Sequence, residues 1–177
     1  MQTKVCRPTQ NKKIMRIKTG LGQDSHRFDF ENKTKKLVLG GIVFDGEPPL
    51  LGNSDADVVL HALCNAISGV TGVNILGAVS DALCLKHGIT DSTVYVQEAL
   101  NYLKDWRITH VSFSIECKIP KITPKIHDMK TRISELLGLE KQDIGITATT
   151  GEGLTAFGRG EGIQAFCILT AINEYSG

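Results

Sequence analysis

Residues 50–63 read Leu50-Leu51-Gly52-Asn53-Ser54-Asp55-Ala56-Asp57-Val58-Val59-Leu60-His61-Ala62-Leu63. A polar, turn-forming run passes directly into an apolar one, which is the pattern of a helix start. Ser54 is an N-cap candidate, and Asp57, three residues on, completes a capping-box-like pair. Asp55 and Asp57 also suit the positive end of the helix dipole. The spacing predicts a helix from Ser54 to about Ser68, ended by Gly69. Val58, Leu63, Ala66 and Ile67 would face a core. Asp57, His61 and Asn65, at i, i+4 and i+8, would form a polar stripe on the same helix.

Upstream of this segment, Arg16–Gly20 is a short strand candidate, and residues 21–35 are polar and turn-rich. Lys36–Phe44 (KLVLGGIVF) is apolar and β-branched, with Gly40-Gly41 marking a turn or bulge. Pro48-Pro49 bars helix in the loop that follows. Downstream, residues 69–89 are glycine-rich and fit no single assignment. Asp91 would cap a second helix reaching about Asp105. Ile108–Ile119 alternates as a strand should. Thr123 and Pro124 open a third helix with Ile126, Met129, Ile133, Leu136 and Leu137 apolar, stopping at Gly138. Asp143–Thr150 is a strand, residues 151–162 a glycine-rich loop, and Ile163–Asn173 a final buried strand. The order β-β-α-α-β-α-β-β means α+β: a mixed, mostly antiparallel sheet with helices on one face.

Composition narrows the function classes. The chain has 177 residues, 41% apolar and 22% charged, which is enough apolar material for a core. No apolar run is long enough for a spanning helix, so no membrane partner is expected. A net charge of +1 argues against a broad nucleic-acid surface. The basic residues of the first fifteen, Lys4, Arg7, Lys12 and Lys13, meet no acid; the remainder carries 16 basic against 19 acidic residues. Residues 1–14 are read as an N-terminal extension, expected to be disordered, and residues 15–177 as one domain. A frayed arm is the simpler reading of the extension. A transit-peptide remnant, which would place the protein in a plastid stroma, is the other. Cys6, Cys64, Cys84, Cys117 and Cys167 are odd in number and contain no CxxC, as expected of core residues in a reducing compartment, the cytoplasm.

Four places could do chemistry. Asp24 and His26 alternate by two, so in extended backbone they project to one side, about 6–7 Å apart, a spacing suited to one metal; a solvated loop is the bland reading. His61 adds a third nitrogen or oxygen donor, unless it is a satisfied core histidine. Asp57, one turn before it, could accept the proton of its non-ligating nitrogen. Three protein ligands and an open position make the catalytic zinc pattern. Lys121, beside Pro120 at a strand exit, could meet phosphate as a point charge, or be an ordinary exposed lysine. Thr149, Thr150, Glu152 and Arg159, in the stretch Thr147–Gly162 (TATTGEGLTAFGRGEG), could hold phosphate oxygens and a hard divalent cation. No Walker A loop is present.

These places fall in the order and spacing of a known family. The blocks Gly22-x-Asp24-x-His26-Arg27-Phe28, Leu39-Gly40-Gly41, Leu50–Leu63, Pro120-Lys121 and Thr147–Ile163 resemble those of the 2-C-methyl-D-erythritol 2,4-cyclodiphosphate synthases, over nearly everything from Met15 onward. The resemblance implies a homotrimer with sheets toward the threefold axis and helices outside, and active sites between neighbouring subunits. It implies cyclisation of 4-diphosphocytidyl-2-C-methyl-D-erythritol 2-phosphate with release of CMP, in non-mevalonate isoprenoid synthesis. Asp24, His26 and His61 then match the zinc ligands. Glu152 matches the ligand of a second divalent ion, Mg²⁺ or Mn²⁺. Thr150 matches a transition-state stabiliser, and Pro120, Lys121 and Thr149 lie in cytidine-diphosphate-binding stretches. Ser54, Gly77 and Asp81 join the substrate contacts, with Asp81 matching an erythritol-contacting aspartate, and Arg159 matches the arginine of the glycine-rich loop.

Three departures stand out. Asn53 replaces a usual histidine and can donate a hydrogen bond but cannot be cationic. Residues 75–81 lack the usual Phe-Pro. Thr155-Ala156 stands where Gly-Phe is usual. Two other readings compete: a zinc-dependent phosphodiesterase or phosphatase using metal-bound hydroxide, and a non-catalytic trimer binding metal or prenyl phosphate.

Overall fold

The computed structural model describes residues 13–77 and 88–176. In chain order the described elements are β1 (Lys13–Arg27), β2 (Leu37–Leu39), β3 (Ile42–Phe44), α1 (Val58–Thr71), α2 (Ser92–Asn101), β4 (Arg107–Glu116), α3 (Ile126–Leu137), β5 (Ile144–Thr149) and β6 (Gly162–Ser176). The fold is mixed α+β. Its four-stranded sheet runs β1-β6-β4-β5, antiparallel except for the parallel β4–β5 pair. The β2–β3 hairpin stands apart, turned by Gly40 (φ 60°) and Gly41 (φ 73°), the left-handed pair a two-residue turn needs. Of the expected extension, Lys13 and Ile14 belong to β1, and residues 1–12 lie outside the described residues.

Alternation on β6 sets the layers. Ile163, Ala165, Cys167, Leu169 and Ala171 are buried toward α1, while Phe166 and Ile168 are exposed on the opposite face. On β1, Gly20 and Gly22 point toward α1. A Cβ on Gly22 would lie 1.9 Å from the carbonyl oxygen of Ala62, and one on Gly20 would lie 2.0 Å from that of Ala66. Only glycine lets the helix rest this closely on the strand.

The same contact corrects two expectations. Gly69 does not end α1: it lies against Gly20, where a Cβ would sit 3.4 Å from the neighbouring Cα, and the helix continues to Thr71. Gly72 (φ 77°) is the true left-handed stop, its N–H bonded to the Ser68 carbonyl at 2.8 Å. The polar run after Gly20 is also strand as far as Arg27, and bends and turns only beyond it. β1 continues to Arg27 because each residue pairs with β6, from Lys13↔Ser176 to Arg27↔Gly162.

The N-cap of α1 is Asp57, not Ser54. The Asp57 carboxylate accepts the N–H groups of Val59 and Leu60, both at 3.1 Å. It also accepts those of Gly40 and Gly41 at 2.8 and 2.7 Å, tying the hairpin turn to the helix start. Ser54 only accepts the Ala56 N–H at 3.1 Å.

Elsewhere the local signals hold with shifted ends. Asp91 caps α2, which stops at Asn101 rather than Asp105. A 3-10 turn at Thr123–Lys125 leads into α3, ended by Gly138 at φ 64°. Strand β4 ends at Glu116 and β6 extends to Ser176. Cys64, Cys117 and Cys167 are buried free thiols, raised by burial well above the usual thiol range; Cys6 and Cys84 lie outside the described residues. Among the described residues, no helix is long and apolar enough to cross a membrane.

Candidate active site

Asp24 and His26 share the inward parity of Gly20 and Gly22 on β1, so they stand where the strand runs past the first turn of α1. His61 descends from that turn. The Asp24 Oδ2 atom lies 3.2 Å from His26 Nε2 and 3.0 Å from His61 Nδ1. One ligand atom from each of the three lies within 4.8 Å of the others. Burial alone would raise the Asp24 carboxyl, but hydrogen bonds from His26 and His61 outweigh it and hold the group well below the usual carboxylate range. The same bond to Asp24 pushes His26 up, against the effect of its own burial.

These donors fit a divalent cation. Two imidazoles and a carboxylate are the N/O set of a catalytic zinc site, with no thiolate. Donors about 2.0–2.1 Å from a tetrahedral ion stand about 3.3 Å apart, close to the two separations observed here. The loop before α1 closes over the group. A Cβ on Gly52 would lie 3.4 Å from His26 Cε1, which places exposed Asn53 one residue from that imidazole. Lys35 holds this loop, donating to the carbonyls of Leu50 (2.7 Å) and Gly52 (3.2 Å).

The partner expected for His61 is corrected. Asp57 is wholly engaged by backbone N–H groups and does not meet the imidazole. Burial, and then the charge of Asp55, push the Asp57 carboxyl up to about 6, against the pull of the Gly41, Leu60 and Gly40 N–H groups. His61 Nε2 instead faces Ser92 Oγ at 2.8 Å, and the Ser92 hydroxyl contacts Asp55. No local spacing announces this contact, because Ser92 lies 31 residues beyond His61.

Pro120, Lys121, Thr149 and Thr150 come together around a cavity of about 260 Å³, with Cys117 and Ile122 among its apolar walls. This cavity and the Asp24-His26-His61 group share no residue. A second cavity of about 250 Å³ does touch the group, lined by Ser25, His26, Arg27, Ala156, Phe157 and Glu161. Between β5 and β6, Glu152 is exposed on a 3-10 turn at φ 51°, ψ 24°, a left-handed backbone costly for a non-glycine residue. Arg159 donates to Glu161 at 3.1 Å and to the Leu154 carbonyl at 3.5 Å. Glu116, at the end of β4, accepts the Thr155 hydroxyl and packs where a Cβ on Gly151 would be. Gly77 has φ 121°, and Asp81 lies outside the described residues.

The comparisons with known proteins agree with this geometry. A family model described as the YgbB family matches residues 17–172. The chain is 51% identical over 159 residues to 2-C-methyl-D-erythritol 2,4-cyclodiphosphate synthase of Chlamydia trachomatis serovar L2b, covering 89% of each chain. It is 48% identical to the Chlamydia felis protein of the same name, covering 90% of this chain and 91% of that one. A solved IspF of Plasmodium falciparum in complex with CDP is similar at TM-score 0.74 and 26% identity, over 89% of this chain and 96% of that one. The bifunctional IspDF of Campylobacter jejuni is similar at TM-score 0.81 and 25% identity, over 92% of this chain and 44% of that one. By sequence match along almost the whole fold, the chain belongs to the YgbB family, that of the 2-C-methyl-D-erythritol 2,4-cyclodiphosphate synthases.

Proposed function

We propose that this protein is a metal-dependent cyclodiphosphate synthase that closes 4-diphosphocytidyl-2-C-methyl-D-erythritol 2-phosphate into the 2,4-cyclodiphosphate and releases CMP. The observation that carries the reading is the convergence of Asp24, His26 and His61 on one point of the β1–α1 seam, in a chain of this family. Zinc held by these three, and Mg²⁺ or Mn²⁺ held by Glu152, would supply Lewis-acid charge to the diphosphate oxygens.

The chain offers its own residues for binding and orientation. The cavity of Pro120, Lys121, Thr149 and Thr150 receives the cytidine diphosphate end, with the Lys121 ammonium available to phosphate. The Thr150 hydroxyl donates to the phosphoryl oxygens as charge builds on them. Asn53, beside His26, donates a neutral hydrogen bond, with Ser54 next to it; Gly77, Asp81 and Arg159 complete the substrate contacts. The nucleophile is the substrate's own 2-phosphate. Its oxygen bonds to the β-phosphorus while the bond from that phosphorus to the bridging oxygen breaks and CMP departs. The protein's task is to hold the two phosphoryl groups together and balance their charge.

The assembly proposed is a homotrimer with its sheets toward the axis. The sheet face away from α1 carries exposed Ile17, Leu21, Phe166 and Ile168, an apolar surface suited to burial between subunits. That the cavity and the Asp24-His26-His61 group share no lining residue within one chain supports a site completed by a neighbouring subunit. Phosphorus NMR of the substrate with zinc- and magnesium-loaded protein tests the reaction. Cyclic diphosphate resonances and equimolar CMP are expected; a linear phosphate product carrying solvent oxygen would instead support hydrolysis.

A further inference from the structure

His61 has two ring nitrogens, and the proposed metal reading uses only Nδ1, the one facing Asp24 at 3.0 Å. The other, Nε2, points into the protein toward Ser92 Oγ at 2.8 Å. Ser92 is fully buried, and His61 is 8% exposed. Behind Ser92 stands Asp55. One oxygen of its carboxylate contacts the Ser92 hydroxyl, and the other accepts the Ser92 backbone N–H at 3.0 Å. Asp55 is itself fixed. Its N–H donates to the Thr90 carbonyl at 2.8 Å, and its carboxylate accepts the Asp57 N–H at 3.2 Å.

The direction of each bond follows from counting protons. An ionised carboxylate only accepts, and a serine hydroxyl has one proton to give. That proton goes to Asp55, leaving the Ser92 oxygen to His61 as an acceptor. His61 Nε2 must then carry hydrogen and donate it. The opposite arrangement would turn the Ser92 lone pairs onto the Asp55 oxygen at close contact, leaving a buried acceptor pair with no proton between them.

Building on the metal reading above, we infer that Ser92 and Asp55 are positioning residues that fix His61 as its Nε2–H tautomer, presenting the Nδ1 lone pair to a divalent cation bound with Asp24 and His26. Neither residue touches the cation or the substrate. Outer partners of this kind set the ring orientation of a ligating histidine and its basicity.

The test uses the full-length protein, zinc affinity measured by competition with a chromogenic chelator, and ¹⁵N NMR of the His61 ring. Ser92→Ala should weaken zinc binding about 10- to 100-fold. Asp55→Asn should weaken it similarly, because an amide N–H facing Ser92 reverses the chain and moves the ring proton to Nδ1. Ser92→Thr, which keeps the hydroxyl, should restore most of the affinity lost in Ser92→Ala. In the zinc-loaded wild type the metal-bound nitrogen should be Nδ1 and the ring proton should sit on Nε2. Wild-type zinc affinity retained in both Ser92→Ala and Asp55→Asn would overturn the inference while leaving the metal site standing. A zinc-loaded wild-type ring bound through Nε2, with its proton on Nδ1, would overturn it even if the variants failed to fold. Wild type that binds no zinc would overturn the metal reading itself.

Discussion

Asp24, His26 and His61 stand at a seam where helix and strand touch backbone to backbone, whereas Thr150, Glu152 and Arg159 are exposed on the connection between β5 and β6. The first group sits where α1 rests on β1 at a distance only Gly20 and Gly22 permit, with Asp57 pinning the helix start to the hairpin turn. The second rides on the connection between β5 and β6, tied back to β4 by the Glu116–Thr155 bond and closed by backbone bonds such as that from the Arg159 N–H to the Thr155 carbonyl. The difference teaches a division of labour. A cation needs donors held to fractions of an ångström and gains from a rigid seam. A diphosphate entering from solvent needs donors that can adjust, and gains from a glycine-rich loop.

The comparison can be broken or sharpened by substitution. His61→Ala removes a donor from the rigid side; turnover should fall on the order of 10³-fold, about 4 kcal/mol, with stoichiometric zinc lost. Release of CMP at saturating metal measures it, and near-wild-type turnover would break the account. Gly22→Ala leaves every ligand in place but drives a methyl into the Ala62 carbonyl. A stability loss of about 3 kcal/mol should appear as a lower denaturant midpoint, accompanied by weaker zinc binding. If Gly22→Ala is tolerated, the seam is not the rigid support described above.

On the loop side the effects should be smaller. Thr155→Val deletes the bond to Glu116 between two solvent-accessible side chains. Stability should change by less than about 1 kcal/mol, while KM for the cytidine substrate rises more than kcat falls. Smallest of all is Asn53→His. The wild type should already be active, and the substitution should change turnover by no more than severalfold while steepening the acidic limb of the pH–rate profile. A wild-type enzyme slower by orders of magnitude and rescued by that change would show that a cationic side chain is required there.

The parts of this arrangement legible in the sequence are those decided by near neighbours. Asp91 capping α2, Pro124 opening the turn before α3, Gly138 ending it and Gly40-Gly41 turning the hairpin all depend on residues a few positions apart. The alternation of Asp24 and His26 was readable for the same reason. What escaped depends on contacts between distant residues. The polar stretch after Gly20 reads as a loop until β6 pairs with it, Asp24 to Ala165 and His26 to Ile163. Ser54 reads as the cap until the Gly40 and Gly41 N–H groups draw the chain onto Asp57. Gly69 reads as a stop until Gly20 is set against it. The Ser92–Asp55 support of His61 is of the same kind: both residues look like ordinary helix-start polar groups until the fold joins them.

The most direct test is the fate of the β-phosphorus when wild-type protein carrying zinc and magnesium meets 4-diphosphocytidyl-2-C-methyl-D-erythritol 2-phosphate in ¹⁸O-labelled water. The account predicts a cyclic diphosphate, one CMP per product and no label in either. A labelled, linear phosphate from the wild type would contradict it.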